Sequence, residues 1–161
     1  MTPLPVIDPD AVAAFWSRCV ASGAVPVGTP QPEVVEPFGD SAELANALLG
    51  LVLHGPKRAT AGSLADFELD GVPLPEVGGM WIAADGSGRP RALLRTTDVR
   101  VGALSSVDDA FAWDEGEDDR TRASWLREHE RFFRRTSPER GLVFDPDMAT
   151  VFERFEVPYS E

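Results

Sequence analysis

Three side chains that can do chemistry crowd together where a helical pattern must stop: Lys57, Arg58 and Thr60 in the stretch His54-Gly55-Pro56-Lys57-Arg58-Ala59-Thr60. A threonine hydroxyl is a weak nucleophile until a base sits beside it, and a lysine amine serves as that base only when burial lowers its pKa. Lys57 and Thr60 therefore suit a nucleophile pair. They equally suit an anion clamp, with ammonium and hydroxyl donating to a phosphate. The plainest alternative is a solvated turn whose lysine complements the helix C-terminus. A phosphate-binding loop of the Walker type is excluded, because Pro56 separates Gly55 from Lys57 and Gly50 falls inside the helical pattern.

A second candidate is the acidic run Asp114, Glu115, Glu117, Asp118 and Asp119. It lacks the alternation and closing Glu of a calcium loop, so a solvated acidic loop capping the next helix is one reading. The other comes from Phe111-Ala112-Trp113-Asp114-Glu115-Gly116, where two aromatics and a glycine suit a packed loop holding one acid against an apolar wall. Such a wall is expected to raise the carboxyl pKa toward the range useful for proton transfer. His129 lies between Trp125 and Phe132 on one helix side, where a satisfied core histidine is the simple reading. His54 reads as a helix-end residue, and the two histidines make no metal motif. Trp81, Trp113 and Trp125 could stack on a base or fill the core. The remaining basic reserve is Arg91, Arg95, Arg100, Arg131, Arg134 and Arg135.

Composition limits the partners. With 27 acidic against 15 basic side chains, the formal net charge is −12. Long-range attraction to a polyanion is therefore absent, and contact with nucleic acid would be local: one nucleotide or a short single strand. A chain of 161 residues with 43% hydrophobic content suits one globular domain with a real core. The longest apolar run, Ala47 to Leu53, falls short of the roughly 20 residues a bilayer requires. The start MTPLPVIDPD shows no signal-peptide pattern. Cys19 is the single cysteine, which excludes an internal disulfide or a cysteine-based zinc site and fits a reducing cytoplasm.

The elements that must position these groups follow from spacing and breakers. Asp8-Pro9 caps a helix over 9–22, with Val12, Phe15, Trp16, Cys19 and Val20 on one stripe. The proline-rich stretch 24–37 reads as a connector. Asp40 and Glu43 make a capping-box pair for a second helix, whose buried stripe is Leu44, Ala45, Leu48, Leu49 and Val52 and whose stop is Gly55-Pro56. Ala59 to Leu64 reads as a short strand, and Asp66 to Gly71 as helix or coil. Met80 to Ala84 and Arg91 to Arg100 form a hairpin about Asp85-Gly86-Ser87-Gly88. A strand edge or turn at 101–107, the acidic loop, a helix from Ala123 to Arg135 and a closing strand from Met148 to Tyr159 complete an α+β chain. Val151, Phe155 and Val157 should alternate along that last strand.

Four segments together resemble the ASCH domain family: FGDSAELANALLGLVLHGPKRATAG, LPEVGGMWIAADGSGRPRALLRTTDVRV, FAWDEGEDDRTRASWLREHERFF and TVFERFEV. The likeness runs from about Phe38 to Val157. Its specific part is the G-x-K-x-x-T turn at Gly55, Lys57 and Thr60, followed downstream by A-x-x-E at Ala112 and Glu115. It implies a PUA-like, mostly antiparallel small β-barrel with flanking helices, in a domain spanning 38–161, with the arm, helix and connector of 1–37 packed on it. It also implies RNA binding. Some family members are hydrolases acting on N4-acetylcytidine or on RNA, and in the amidohydrolase branch the matching residues are catalytic. By position, Lys57 would be the base, Thr60 the nucleophile and Glu115 the proton donor and acceptor. One departure stands out: the amidohydrolase pattern has Arg two residues after the Thr, where this chain has Gly62. The longer N-terminal part and Trp-rich late helix resemble a larger branch of the family.

The expected ligand is a nucleotide, a modified nucleoside or short single-stranded RNA. It would lie in a cleft between the Gly55–Thr60 turn and the Phe111–Gly116 loop, with Phe38, Arg58, Arg95, Phe111, Trp113, Trp125 and His129 as contacts. No cofactor, metal or membrane is implied. The alternatives are a non-catalytic RNA- or nucleotide-binding module and an interaction domain whose acidic surface meets a basic partner.

Overall fold

The computed structural model describes residues 2–161. The α-helices and strands follow in the order α1 Pro9–Ala21, β1 Val35–Pro37, α2 Ala42–His54, β2 Ala59–Ser63, α3 Leu64–Asp70, β3 Met80–Ala84, β4 Pro90–Ala103, α4 Asp109–Glu115, α5 Arg122–Glu139 and β5 Ala149–Ser160, with a 3-10 turn at Leu104–Ser106 between β4 and α4. The strands pair in the order β1-β3-β4-β5-β2. β1 runs parallel to β3, while β3 with β4 and β2 with β5 are antiparallel. Two compact units result. One holds the chain up to Gly55, Glu76–Thr97 and Phe155–Glu161; the other holds Pro56–Pro75 and Asp98–Arg154. The long strands β4 and β5 therefore contribute a segment to each.

In the first unit, the Asp8 side chain caps α1 by accepting from the Asp10 amide. Val12, Phe15, Trp16 and Cys19 of α1 bury against Ile82 and Leu93. A second apolar cluster joins Leu49 and Val52 of α2 to Phe38, Trp81, Ala92, Leu94 and Phe155. Two expectations change here. Ser41, not Asp40, caps α2, accepting from the Leu44 amide, and Glu43 instead accepts from Thr2. The connector also ends in a strand: Val35, Glu36 and Pro37 pair with Ile82, Ala83 and Ala84. Three residues are too few for alternation to reveal a strand.

The second unit carries α3, α4, α5, β2 and the adjoining segments of β4 and β5. Its core joins Ala59 of β2, Leu104, Val107, Phe111 and Ala112 of α4, Trp125 and Phe133 of α5, and Phe152 of β5. Phe111 meets Phe152 edge-on with ring centroids 5.1 Å apart, and Trp125 lies 5.9 Å from Phe152 at 27°. Thr150 to Glu153 of β5 are all buried, so the strand is covered on both faces there and the expected alternation gives way.

The acidic stretch is not a loop up to Gly116 but a helix. Asp108 accepts from the Phe111 amide at 2.8 Å, which caps α4. Phe111, Ala112 and Glu115 then fall on its buried face, and Gly116 ends it in the left-handed conformation at φ 70°. Thr121 caps α5 in the same way through the Ser124 amide. Helix α5 runs from Arg122 to Glu139, a turn longer than its apolar periodicity indicates.

Candidate active site around Lys57 and Glu115

Every group of this site belongs to the second unit. The turn that leaves α2 and enters β2 is fastened to the end of α4, because the Arg58 amide donates to the Asp114 carbonyl at 2.7 Å. Gly116 permits closer approach still. A Cβ there would stand 2.8 Å from the Lys57 nitrogen and 2.8 Å from the Pro56 carbonyl carbon. The turn and the α4 terminus therefore abut directly at this point.

That contact brings Lys57 to Glu115, which lies 58 positions further along the chain. The Lys57 side chain is 1% exposed and Glu115 2%, with Nζ 3.4 Å from Glu115 Oε1. Nζ also donates to the Ala59 carbonyl at 2.9 Å and to Glu117 Oε1 at 2.6 Å. These partners are all oxygen acceptors, as the donors of a lysine side chain require. Glu117, 27% exposed, is the nearer and more accessible of the two carboxylates.

Glu115 is gripped from the other side by α5. The Trp125 indole Nε1–H donates to Oε2. His129 Nε2 lies 3.2 Å from Oε1, and its Nδ1–H donates to the Trp125 carbonyl at 2.8 Å. The two rings stack 3.7 Å apart at 12°, so their ring nitrogens approach the carboxyl side by side. Burial alone would raise the Glu115 pKa, but the charges of Lys57 and His129 and the hydrogen bonds from His129 and Trp125 hold it well below 4.5. This reverses the expected upward shift: the apolar wall is present, but two cations and an indole N–H outweigh it. Burial likewise opposes charge on His129, yet Glu115, and less strongly Glu117, carry its pKa above 6.5.

These shifts set a pH window. Glu115, depressed in the folded state, stabilises the fold fully above 4.5 and loses that contribution as pH falls through its lowered value. His129, raised in the folded state, contributes fully below 6.5 and loses its part as pH climbs through its raised value. The cluster should therefore stabilise most between pH 4.5 and 6.5. Thermal unfolding followed from pH 4.5 to 9 should show wild type losing more of its margin over the His129→Gln protein at the alkaline end. Parallel curves would contradict the window.

The other expected site residues are distributed unevenly. Thr60 stands on β2 opposite Glu153 of β5. Strand alternation puts its side chain on the other face from Ala59 and Ala61, which join the Phe111–Trp125–Phe152 cluster. Arg58 folds back onto its own turn, donating to the Lys57 carbonyl at 2.6 Å. Phe111 is part of the core behind Glu115 rather than a surface platform. Trp113 is 57% exposed, with the Arg120 guanidinium 3.6 Å above its ring centre. Phe38 and Arg95 belong to the first unit: Phe38 packs edge-on against Trp81, and Arg95 pairs with Glu156 at 2.7 Å.

Glu117, which the sequence offers only as one member of the acidic run, joins the cluster through Lys57. It sits one residue past the Gly116 stop, in a loop whose Asp118 and Arg120 take φ of 49° and 63°. Both residues are tied down, Asp118 by Ser124 and Arg120 by the Trp113 carbonyl. Among the described residues, no group of three or more His, Cys, Asp or Glu side chains could hold a metal ion, and no helix is long and apolar enough to cross a membrane.

Comparison with known proteins agrees with this architecture. A family model described as ASCH domain matches residues 34–159. The crystal structure of protein EF3133 from Enterococcus faecalis V583 is similar at 36% identity, covering 92% of this chain and 88% of that one, with a TM-score of 0.81. The ASCH domain structure from Lactobacillus crispatus JV V101 is similar at 28% identity, covering 95% and 96%, also with a TM-score of 0.81. No curated protein matches the chain. The mixed α+β fold is thus the PUA-like one expected from the motifs, and the chain belongs to the ASCH domain family.

Proposed function

We propose that this ASCH domain binds a nucleotide, a modified nucleoside or short single-stranded RNA and hydrolyses it at the Lys57–Glu115 centre. The observation that carries the reading is the buried meeting of that amine and carboxyl, from segments far apart in the chain, with an indole and an imidazole on the same carboxylate. Burying charges is costly, and apolar replacements of buried ion pairs are often no less stable. A cluster of perturbed titratable groups is instead a common mark of a reaction centre.

In this reading Glu115 carries protons, Thr60 supplies the attacking hydroxyl and Lys57 governs it. Lys57 Nζ stands among the Ala59 carbonyl, Glu115 and Glu117. Glu117 is the acceptor a ligand would displace, because it is the exposed member of the set. The three acceptors on Lys57 also favour a second reading: a non-catalytic binding module in which the ammonium meets a ligand oxygen and no bond is broken.

Incubation with N4-acetylcytidine and with short single-stranded RNAs separates the two. The hydrolase reading expects turnover that falls about a hundredfold or more in Lys57→Ala, Thr60→Ala and Glu115→Gln proteins. Salt-sensitive binding lost in Lys57→Ala, without product, would select the binding module. Turnover undiminished in Lys57→Ala would end the hydrolase reading.

A further inference from the structure

The two histidine nitrogens and their partners fix a proton count. Nδ1 is 2.8 Å from the Trp125 carbonyl, which can only accept, so Nδ1 carries a hydrogen. A neutral ring with its hydrogen there would turn a lone pair from Nε2 toward Glu115 Oε1, 3.2 Å away. A carboxylate oxygen offers a lone pair as well, and two lone pairs do not bond. One proton must therefore lie between Nε2 and Oε1, on either the ring or the carboxyl.

The surroundings place it. Glu115 already accepts from the Trp125 indole and faces the Lys57 ammonium, both of which favour the carboxylate. Glu117, across Lys57, adds negative charge that favours the imidazolium; Lys57 itself opposes it. The carboxylate–imidazolium arrangement satisfies every donor and acceptor in the set, in agreement with the upward shift of His129. The ring cannot swing away cheaply, being stacked on Trp125 and anchored to the α5 backbone.

We propose that His129 is the positioning residue of Glu115, holding the carboxyl in place and storing the proton that Glu115 delivers to the leaving group. This rests on the hydrolase reading above. The step balances. The Nε2–H bond breaks as an Oε1–H bond forms, giving neutral imidazole still bonded through Nδ1–H. Glu115 then passes that proton to the leaving group as its bond to the substrate breaks and the Thr60 oxygen bonds in its place; the Thr60 hydroxyl proton restores the pair, and a water that later displaces Thr60 returns the threonine its proton.

The chain has two histidines, so a His54→Gln protein assigns their nitrogen resonances directly. In the wild-type chain, His129 should show both nitrogens protonated at pH 6 and titrate above 6.5. In Glu115→Gln it should titrate lower, because the carboxylate charge and hydrogen bond that raise it are gone. A His129 that is neutral with its hydrogen on Nε2, or one that titrates alike in both proteins, overturns the proposal. The second arm is turnover against pH. His129→Gln should lose about tenfold to a hundredfold in kcat and lose the alkaline limb set by His129, with KM held within about twofold. Turnover with a wild-type profile in His129→Gln overturns the proton store alone. A protonated dyad in a protein that turns over neither N4-acetylcytidine nor RNA overturns the store together with the hydrolase reading.

Discussion

Lys57→Met should destabilise the protein by about 3 kcal/mol, near the low end of the loss seen when one member of a buried ion pair is removed. The substitution roughly conserves length, so the loss is electrostatic rather than a cavity effect. Glu115 would keep the Trp125 and His129 donors but lose a cation 3.4 Å away, while remaining 2% exposed. Glu117 would lose its 2.6 Å partner too, but its partial exposure lets water replace the bond. The double variant Lys57→Met with Glu115→Leu should recover part of the loss, because the stranded buried charge disappears with its partner. Urea unfolding of the wild type, both single variants and the double gives the cycle. A Lys57→Met loss within about 0.5 kcal/mol, the range of ordinary surface changes, would mean that the pair is not closed in solution.

Gly116→Ala should also be damaging, for a different reason. Its φ of 70° is strained for alanine, and the new methyl would also meet the Pro56–Lys57 backbone at 2.8 to 2.9 Å. Backbone cannot rotate out of the way like a side chain. The turn and the α4 terminus must separate, and the Lys57–Glu115 contact with them. Gly71 offers the control within the same unit. It ends α3 with φ 64°, yet nothing lies within 4 Å of a Cβ there. Gly71→Ala should lose about 1 kcal/mol from conformational strain alone, and Gly116→Ala about 2 kcal/mol or more. The difference isolates the close approach, and equal losses would show that the two segments do not touch. Gly116→Ala should also lower the His129 pKa, since Glu115 would no longer be held against the ring.

Much of this architecture could be read in advance because it depends on local signals. Asp8-Pro9 before an apolar stripe fixed the start of α1, and Asp85-Gly86-Ser87-Gly88 between two apolar runs marked the β3–β4 turn. The meeting of Lys57 with Glu115 was legible only through the paired motifs, since no periodicity links groups so distant in the chain. Other features were hidden for identifiable reasons. Asp40 and Ser41 are adjacent residues that both cap well, and which one does so depends on where the chain enters α2. Helix α4 has seven residues, too short for a period to stand out from five nearby carboxylates. For the same reason no spacing singled out Glu117. The Asp108 cap and the Gly116 stop, taken together, would have shown that Glu117 lies just beyond a helix end. Side-chain type alone does not say which cluster a ring such as Phe38 joins or which carboxylate a guanidinium such as Arg95 meets.

The sole cysteine has a practical value for spectroscopy. Cys19 is fully buried in α1, and burial, aided by the nearby Glu161 charge, pushes its thiol pKa up to about 11. It should resist maleimides and iodoacetamide under native conditions. A cysteine introduced at the exposed Trp113 position could then take a single dye or spin label without first removing the natural thiol. The surface beside the acidic loop could in this way be monitored during ligand titration in an otherwise unaltered chain.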